Sequence, residues 1–265
     1  MKAQSGFTLI ELLVVIAIIG LLLAILMPAL SLAKKQAAAT ACQMNLHQWG
    51  HIWYLYCNDN DGKFCEAGDL GWKRGTWIIA LRSQWETRSD LLRCPMAKKP
   101  LPGRDHGGPF HTYQMGSGGL GNLQEECSYG ASCWIYSDTD VENIQGRPTR
   151  YNWKTAYVGG GNNIPIFADT MWRGGGPSEK GVPGDPPEYD GQWYGYQHEM
   201  KHFCINRHNG FTNHLFLDWS VRKAGVKELW KLKWHREFST DGPWTIAGGC
   251  RPSDWPEWMQ RFKDY

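Results

Sequence analysis

The sequence predicts an α+β chain in which one long N-terminal helix, membrane-spanning in its first half, packs on a loop-rich globular head built on an antiparallel sheet. Three observations carry this expectation. An apolar run fills residues 7–27, an apolar stripe at helical spacing follows it, and the glycine- and tryptophan-rich remainder is cut into short segments by turn formers. The composition fits: 42% hydrophobic and 20% charged residues over 265 positions allow a sizeable core. A mean hydropathy of −0.48 excludes a polytopic membrane protein. The formal charge is only +2. Residues 1–57 hold Lys2, Lys34 and Lys35 against Glu11, which leaves the head, residues 58–265, with equal numbers of basic and acidic groups. A neutral body of this size is a poor phosphate-tracking surface, so nucleic acid is not expected as a partner.

The run FTLIELLVVIAIIGLLLAILM, from Phe7 to Met27, is interrupted only by Thr8, Glu11 and Gly20. As a helix it is about 31 Å long, enough to cross a bilayer. The leader in front is just MKAQSG, and no small-x-small cleavage site stands behind the run, so an ordinary secretory signal does not fit. Helical character continues past Pro28. Cys42, Leu46, Trp49, Trp53 and Tyr56 recur three or four residues apart, which places them on one face that is predicted to pack on the head. The helix is expected to span residues 7–57 and to end before the turn formers Asn58, Asp59, Asn60, Asp61 and Gly62.

A short basic leader ending in Gly6, followed by Phe7, Thr8, Leu9, Ile10 and Glu11 at the head of an apolar stretch, resembles the prepilin leader of type IV pilins and type II secretion pseudopilins. The resemblance implies that a prepilin peptidase removes residues 1–6 by cutting between Gly6 and Phe7, then methylates the new amine of Phe7. It also implies a pilin-like lollipop. Before assembly the chain would cross the inner membrane once, with its head in the periplasm. It would then join further copies and other pilin-like subunits in a secretion pseudopilus or a surface filament. Pro28 falls where many pilin helices kink. Glu11 has a physical reason of its own, because a carboxylate at membrane depth costs about 2.5–3.5 kcal/mol on insertion scales and calls for a partner. In a stacked bundle, the resemblance implies that Glu11 of one subunit neutralises the Phe7 amine of its neighbour. Orientation also rests on the resemblance, since Lys2 against Lys34 and Lys35 gives no usable positive-inside bias.

In the head, TYQMGS (112–117), YNWKTAYV (151–158) and IPIFADTMW (164–172) read as strands, and residues 173–192 as an exposed loop rich in glycine and proline. FCINR, NHLFLD and WSVRK, within residues 203–223, suggest an antiparallel meander with turns at Asn209-Gly210 and Asp218-Trp219. Val226, Trp230, Trp234 and Phe238 predict a final amphipathic helix with Lys223, Lys227 and Lys231 on a solvated face. His208 and Asp218, nine residues between them, resemble the H-x9-DG motif of large pseudopilin-like proteins found mostly in planctomycetes and related bacteria, although Trp219 replaces the glycine. CQMNLHQ from Cys42, the Cys94-Pro95 pair and FADTMW are similar to segments of the same group. At opposite ends of neighbouring strands, His208 and Asp218 are expected to hydrogen-bond as a turn lock.

Eight cysteines, Cys42, Cys57, Cys65, Cys94, Cys127, Cys133, Cys204 and Cys250, suggest disulfides in a head placed outside the cytoplasm. Cys42 on the inner helix stripe suggests a bridge to Cys94, and Cys127 with Cys133 a small closed loop. No CxxC spacing occurs. HEMKH matches the zinc-protease pattern through His198, Glu199 and His202, with His208 at the third-ligand position. Ile205 stands where that pattern needs glycine and FCI favours a strand, so a structural role is preferred there. Calcium is a second candidate, at Asp185, Glu188 and Asp190, because some pseudopilins carry it in their heads. No other cofactor is expected and no Ser-His-Asp or Cys-His nucleophile set is visible, so an enzyme is not expected. Two function classes follow: a structural subunit of a type II secretion or type IV pilus-like filament, or a displayed binding module whose exposed tryptophans stack on a ligand such as polysaccharide. Tryptophan exposure discriminates them.

Overall fold

The computed structural model describes residues 8–67, 75–116, 123–138, 140–177, 184–195 and 198–265. The expected leader, residues 1–6, and the expected Gly6–Phe7 cleavage and methylation position lie outside the described residues.

The first element, helix α1, spans Leu9–Asp59 and runs through Pro28. Its start is fixed by a capping box. The Thr8 side chain accepts the Glu11 N–H at 3.3 Å, and Glu11 Oε2 accepts the Thr8 N–H at 2.8 Å. Pro28 has no N–H to give the Ala24 carbonyl, so the ladder lacks one bond there. The two halves of α1 meet different surroundings. Every large apolar side chain from Leu9 to Leu32 is exposed, Leu9 by 79%. In the second half Cys42, Leu46, Trp49, Ile52, Trp53 and Cys57 are buried, and Tyr56 is half-buried. The predicted stripe is thus the docking face.

That face packs on a five-stranded sheet of order β10-β9-β7-β4-β8, contacting β7, β9 and β10. Its strands are β4 (Tyr129–Ser132), β7 (Pro165–Asp169), β8 (Gly174–Gly175), β9 (Phe211–Phe216) and β10 (Val221–Gly225). All pairings are antiparallel except β4 with the edge strand β8. A smaller sheet joins β1 (Lys99–Pro100), β2 (His111–Gln114) and β3 (Glu126–Cys127), and β5 (Asn143–Ile144) pairs with β6 (Arg147–Pro148). Short helices α2 (Thr76–Ala80), α3 (Arg82–Trp85), α4 (Met200–Phe203) and α5 (Glu257–Gln260) fill the periphery. The core under the helix is aromatic. The Trp49 ring lies 5.3 Å from Trp77 and 4.9 Å from Phe167, close enough for edge and tilted contacts.

Three local expectations are corrected. Residues 151–158 form no strand: a 3₁₀ turn covers Thr149–Tyr151 and Lys154 takes a φ of 67°, which ends extended backbone. FCINR is the end of α4 followed by turns, so the meander contains only the β9–β10 hairpin. The predicted last helix is a strand, β10, then a 3₁₀ turn over Glu228–Lys231 and irregular chain. Val226, Trp230, Trp234 and Phe238 are all buried as expected, but so is Lys227, whose Nζ lies 2.7 Å from Asp264 Oδ1. The lysine row is therefore not one solvated face.

Candidate functional site

Four side chains from distant parts of the chain meet where α1 rests on the sheet. Cys42 comes from the buried stripe of α1. Cys94 follows the 3₁₀ turn Ser89–Leu92, and its N–H donates to Ser128 Oγ at 2.7 Å. Asp169 ends β7. His208 sits at the turn before β9, where its N–H donates to the Phe211 carbonyl at 3.0 Å and Asn209 and Gly210 take φ values of 54° and 87°. Only asparagine, aspartate and glycine adopt such angles readily, so the Asn209-Gly210 turn positions the histidine. One ligating atom from each of Cys42, Cys94, Asp169 and His208 lies within 4.8 Å of the others.

The contacts are close. Cys42 Sγ is 3.4 and 3.5 Å from the two Asp169 oxygens and accepts from the Tyr129 hydroxyl at 3.3 Å. Cys94 Sγ is 3.4 Å from His208 Nε2, which is itself 3.1 Å from Asp169 Oδ2. Asp169 is held from behind. Arg207 Nη1 reaches Oδ1 at 2.9 Å, and the Asn213 N–H donates to Oδ2 at 2.9 Å. Arg207 is anchored in turn, with its guanidinium donating to the carbonyls of Pro109, Ser128, Gly108 and Thr170.

These surroundings set the charges. Burial works against ionising Asp169, but the charges of His208 and Arg207 hold its carboxyl well below the usual range. Burial also opposes the His208 imidazolium, and the Asp169 charge overcomes it, raising that group to about 9. Burial pushes the Cys42 thiol up, and its hydrogen bond to Cys94 and the Asp169 charge add to this. Against burial, the Cys94 thiol is drawn down by the hydrogen bonds from Cys42 and His208 and by the charge of Arg207. A cysteine nucleophile would need access to its substrate. Here Cys94 and Asp169 both face Nε2 of His208, and Cys94 is 0% exposed, so no substrate atom reaches its sulfur.

The His208–Asp218 lock is corrected: Asp218 Oδ1 accepts the N–H and hydroxyl of Ser220, at 3.0 and 2.6 Å, inside its own turn. The partner of His208 is Asp169, because β9 pairs on one side with β10 and on the other with β7. The HEMKH residues do not converge on a zinc position. Both nitrogens of His202 are taken by carbonyls, Gly174 at 2.9 Å and Gly195 at 2.8 Å. Glu199 is an ion-pair partner of Arg147 and accepts the Gly176 N–H, while His198 lies against the Tyr194 ring. At the calcium candidate, Asp190 accepts the Asn206 N–H at 2.9 Å, and it forms no cluster with Asp185 and Glu188 among the described residues. The disulfide expectation is corrected as well, since all eight cysteines are free thiols. Cys42 and Cys94 do come together, hydrogen-bonded as two thiols rather than bridged. Cys127 and Cys133 are separated by the strand β4, whose four extended residues alone span about 13 Å, beyond the reach of a bridge. No described tryptophan is exposed; Trp193, Trp219, Trp244 and Trp258 are half-buried and the others buried.

Residues 1–27 match the family described as the prokaryotic N-terminal methylation motif. Over 61 residues the chain is 44% identical to the type IV wide pilus major component PilA4 of Thermus thermophilus. The matched stretch is 23% of this chain and 47% of that protein, so the chain spans about half the length of the curated relative it matches. No solved structure matches. The chain thus carries the N-terminal methylation motif of type IV pilin leaders on a long helix packed against a sheet-containing head.

Proposed function

We propose that the protein is a non-enzymatic, pilin-like structural subunit of a type II secretion or type IV pilus-like filament, assembling through α1. The observation that carries the reading is the exposed apolar half of α1, in which Glu11 is the only charged residue between Leu9 and Leu32. Moving a leucine or isoleucine side chain from water to an apolar environment stabilises by about 1.5–3 kcal/mol, so this surface belongs in lipid or against other helices. The methylation motif and the partial likeness to a pilus component support the filament over a plain membrane anchor.

In this reading a prepilin peptidase at the inner membrane cuts between Gly6 and Phe7 and methylates the Phe7 amine. The chain waits in the membrane with its head in the periplasm. Within the single chain Glu11 is occupied by Thr8. On assembly its carboxylate faces the Phe7 amine of the neighbouring subunit, and the pair sets the axial register. The test is electron microscopy of cells that express the chain with a prepilin peptidase, with mass spectrometry of the N-terminus. Processed, methylated Phe7 and filaments are expected, and Glu11→Ala should stay membrane-inserted without forming filaments. Normal filaments from Glu11→Ala, or a chain left unprocessed at Gly6, would overturn the reading.

A further inference from the structure

We propose that Cys42, Cys94, Asp169 and His208 bind one zinc ion in a closed, structural site that fastens α1 to the head. Zinc with tetrahedral sulfur, nitrogen and oxygen ligands at its usual bond lengths places ligand atoms about 3.3–3.8 Å apart. In the structure the separations are 3.4 Å for Cys94 Sγ to His208 Nε2, 3.4 and 3.5 Å for Cys42 Sγ to the Asp169 oxygens, and 3.1 Å for His208 Nε2 to Asp169 Oδ2. Three of the six donor pairs thus stand at or just below the separation a bound zinc requires, and all four donors lie within 4.8 Å of one another, so small shifts would close the shell.

The donor set selects the metal. Two thiolates suit zinc and disfavour calcium or magnesium, which take oxygen ligands. With His208 neutral, the two thiolates and Asp169 supply three negative charges, and Arg207 with a divalent ion supplies three positive ones, so the buried site is neutral as a whole. The surroundings also orient the ligands in the manner of an outer shell. Tyr129 holds Cys42, Ser128 holds the Cys94 backbone, and Arg207 with the Asn213 N–H fixes Asp169. A groove of about 520 Å³ between α1 and the head, lined in part by Gln43, Met96, His208 and Asn213, reaches the site and gives an ion a route in. All four ligand positions belong to protein, so the site leaves none for a catalytic water and its work is to cross-link. It joins the helix to three head segments that no disulfide ties to it.

The test uses the full-length, untagged chain purified in detergent without reductant from zinc-supplied cells. Elemental analysis should find about one zinc per chain, and X-ray absorption two sulfur and two lighter ligands. Cys94→Ser and His208→Ala should lose the zinc, Asp218→Asn and the HEMKH variant His198→Ala should keep it, and chelation of the wild type should lower its Tm by several degrees. Because a ligand variant can misfold, the wild-type measurements decide the matter alone. Wild-type protein that carries no zinc and takes up none after thiol reduction would overturn the proposal. So would a Cys42–Cys94 disulfide found by mass spectrometry in the protein as isolated.

Discussion

Glu199 Oε1 lies 2.6 Å from Arg147 Nη2, and both side chains are 1% exposed. The pair joins β6 to the chain that enters α4, and it converts what reads as a catalytic glutamate in HEMKH into a tie between two parts of the head. Removing one partner of a buried pair leaves the other charge uncompensated, which typically costs about 3–5 kcal/mol, whereas replacing both by apolar groups of similar volume is often close to neutral. Glu199→Gln should therefore lower the denaturant midpoint of the head severely. The double variant Arg147→Met, Glu199→Met should recover most of the loss. A single variant as stable as the wild type would mean that the pair is not held in this geometry.

The long helix was legible because its signal is local: the spacing of Cys42, Leu46, Trp49 and Trp53 and the apolar run before them can be read off one stretch of chain. The partner of His208 was not, because strand order leaves no mark on local sequence. His208 and Asp218 look like neighbours across a hairpin, yet β9 has two neighbours, and the one that supplies the carboxylate is β7, about forty residues earlier. The i+4 spacing of Val226, Trp230, Trp234 and Phe238 misled for a related reason. A segment buried on several sides satisfies any period, and Lys227, buried against Asp264 and within 5.1 Å of the Trp255 ring centre, shows that this one is. The site itself was half-visible. All four of its residues lie in segments the sequence singles out, and the approach of Cys42 to Cys94 was expected, but only the fold brings Asp169 and His208 to them.

Acid stability should carry the mark of His214. Its ring is buried beside Phe216 and Trp234, Nε2 is 2.8 Å from the Thr212 hydroxyl, and burial lowers its titration to about 3. The unfolded chain takes up a proton near pH 6.5, and the folded one does not until about 3. Stability is therefore lost as pH falls from about 6.5, by up to about 1.4 kcal/mol for each pH unit. Urea midpoints at pH 7, 6 and 5 should fall more steeply for the wild type than for His214→Gln. Parallel curves would show that the ring takes up its proton as readily in the folded head as in the unfolded chain.

The two halves of α1 should respond to truncation in opposite ways. Trp49 is fully buried, and its Nε1 donates to the Leu91 carbonyl at 3.0 Å. Trp49→Ala removes that bond and leaves a cavity between Trp77 and Phe167, a loss of about 3–5 kcal/mol in head stability. Leu22 is 53% exposed in the single chain. Leu22→Ala should leave the thermal unfolding of the head unchanged and weaken only assembly, read as fewer or shorter filaments by electron microscopy. Equal effects of both substitutions on head unfolding would contradict the division of labour along the helix.

The edge strand β8 depends on a glycine. Gly174 pairs with Ala131 of β4, its φ is 153°, and a Cβ added there would lie 2.1 Å from the Ala131 carbonyl oxygen. That oxygen is backbone inside a buried strand and cannot step aside. Gly174→Ala must push β8 off the sheet, which disturbs the neighbouring Arg173 carbonyl that accepts from Trp77 Nε1 at 2.8 Å and the Gly174 carbonyl that holds His202. A cost of roughly 2–4 kcal/mol is expected. Gly159 supplies the control, since a Cβ there meets nothing within 4 Å. Gly159→Ala should be neutral or stabilising by about 0.4–1 kcal/mol, because it restricts only the unfolded chain. Tm values for the two variants should therefore move apart, and similar values would mean that β8 is not seated against β4.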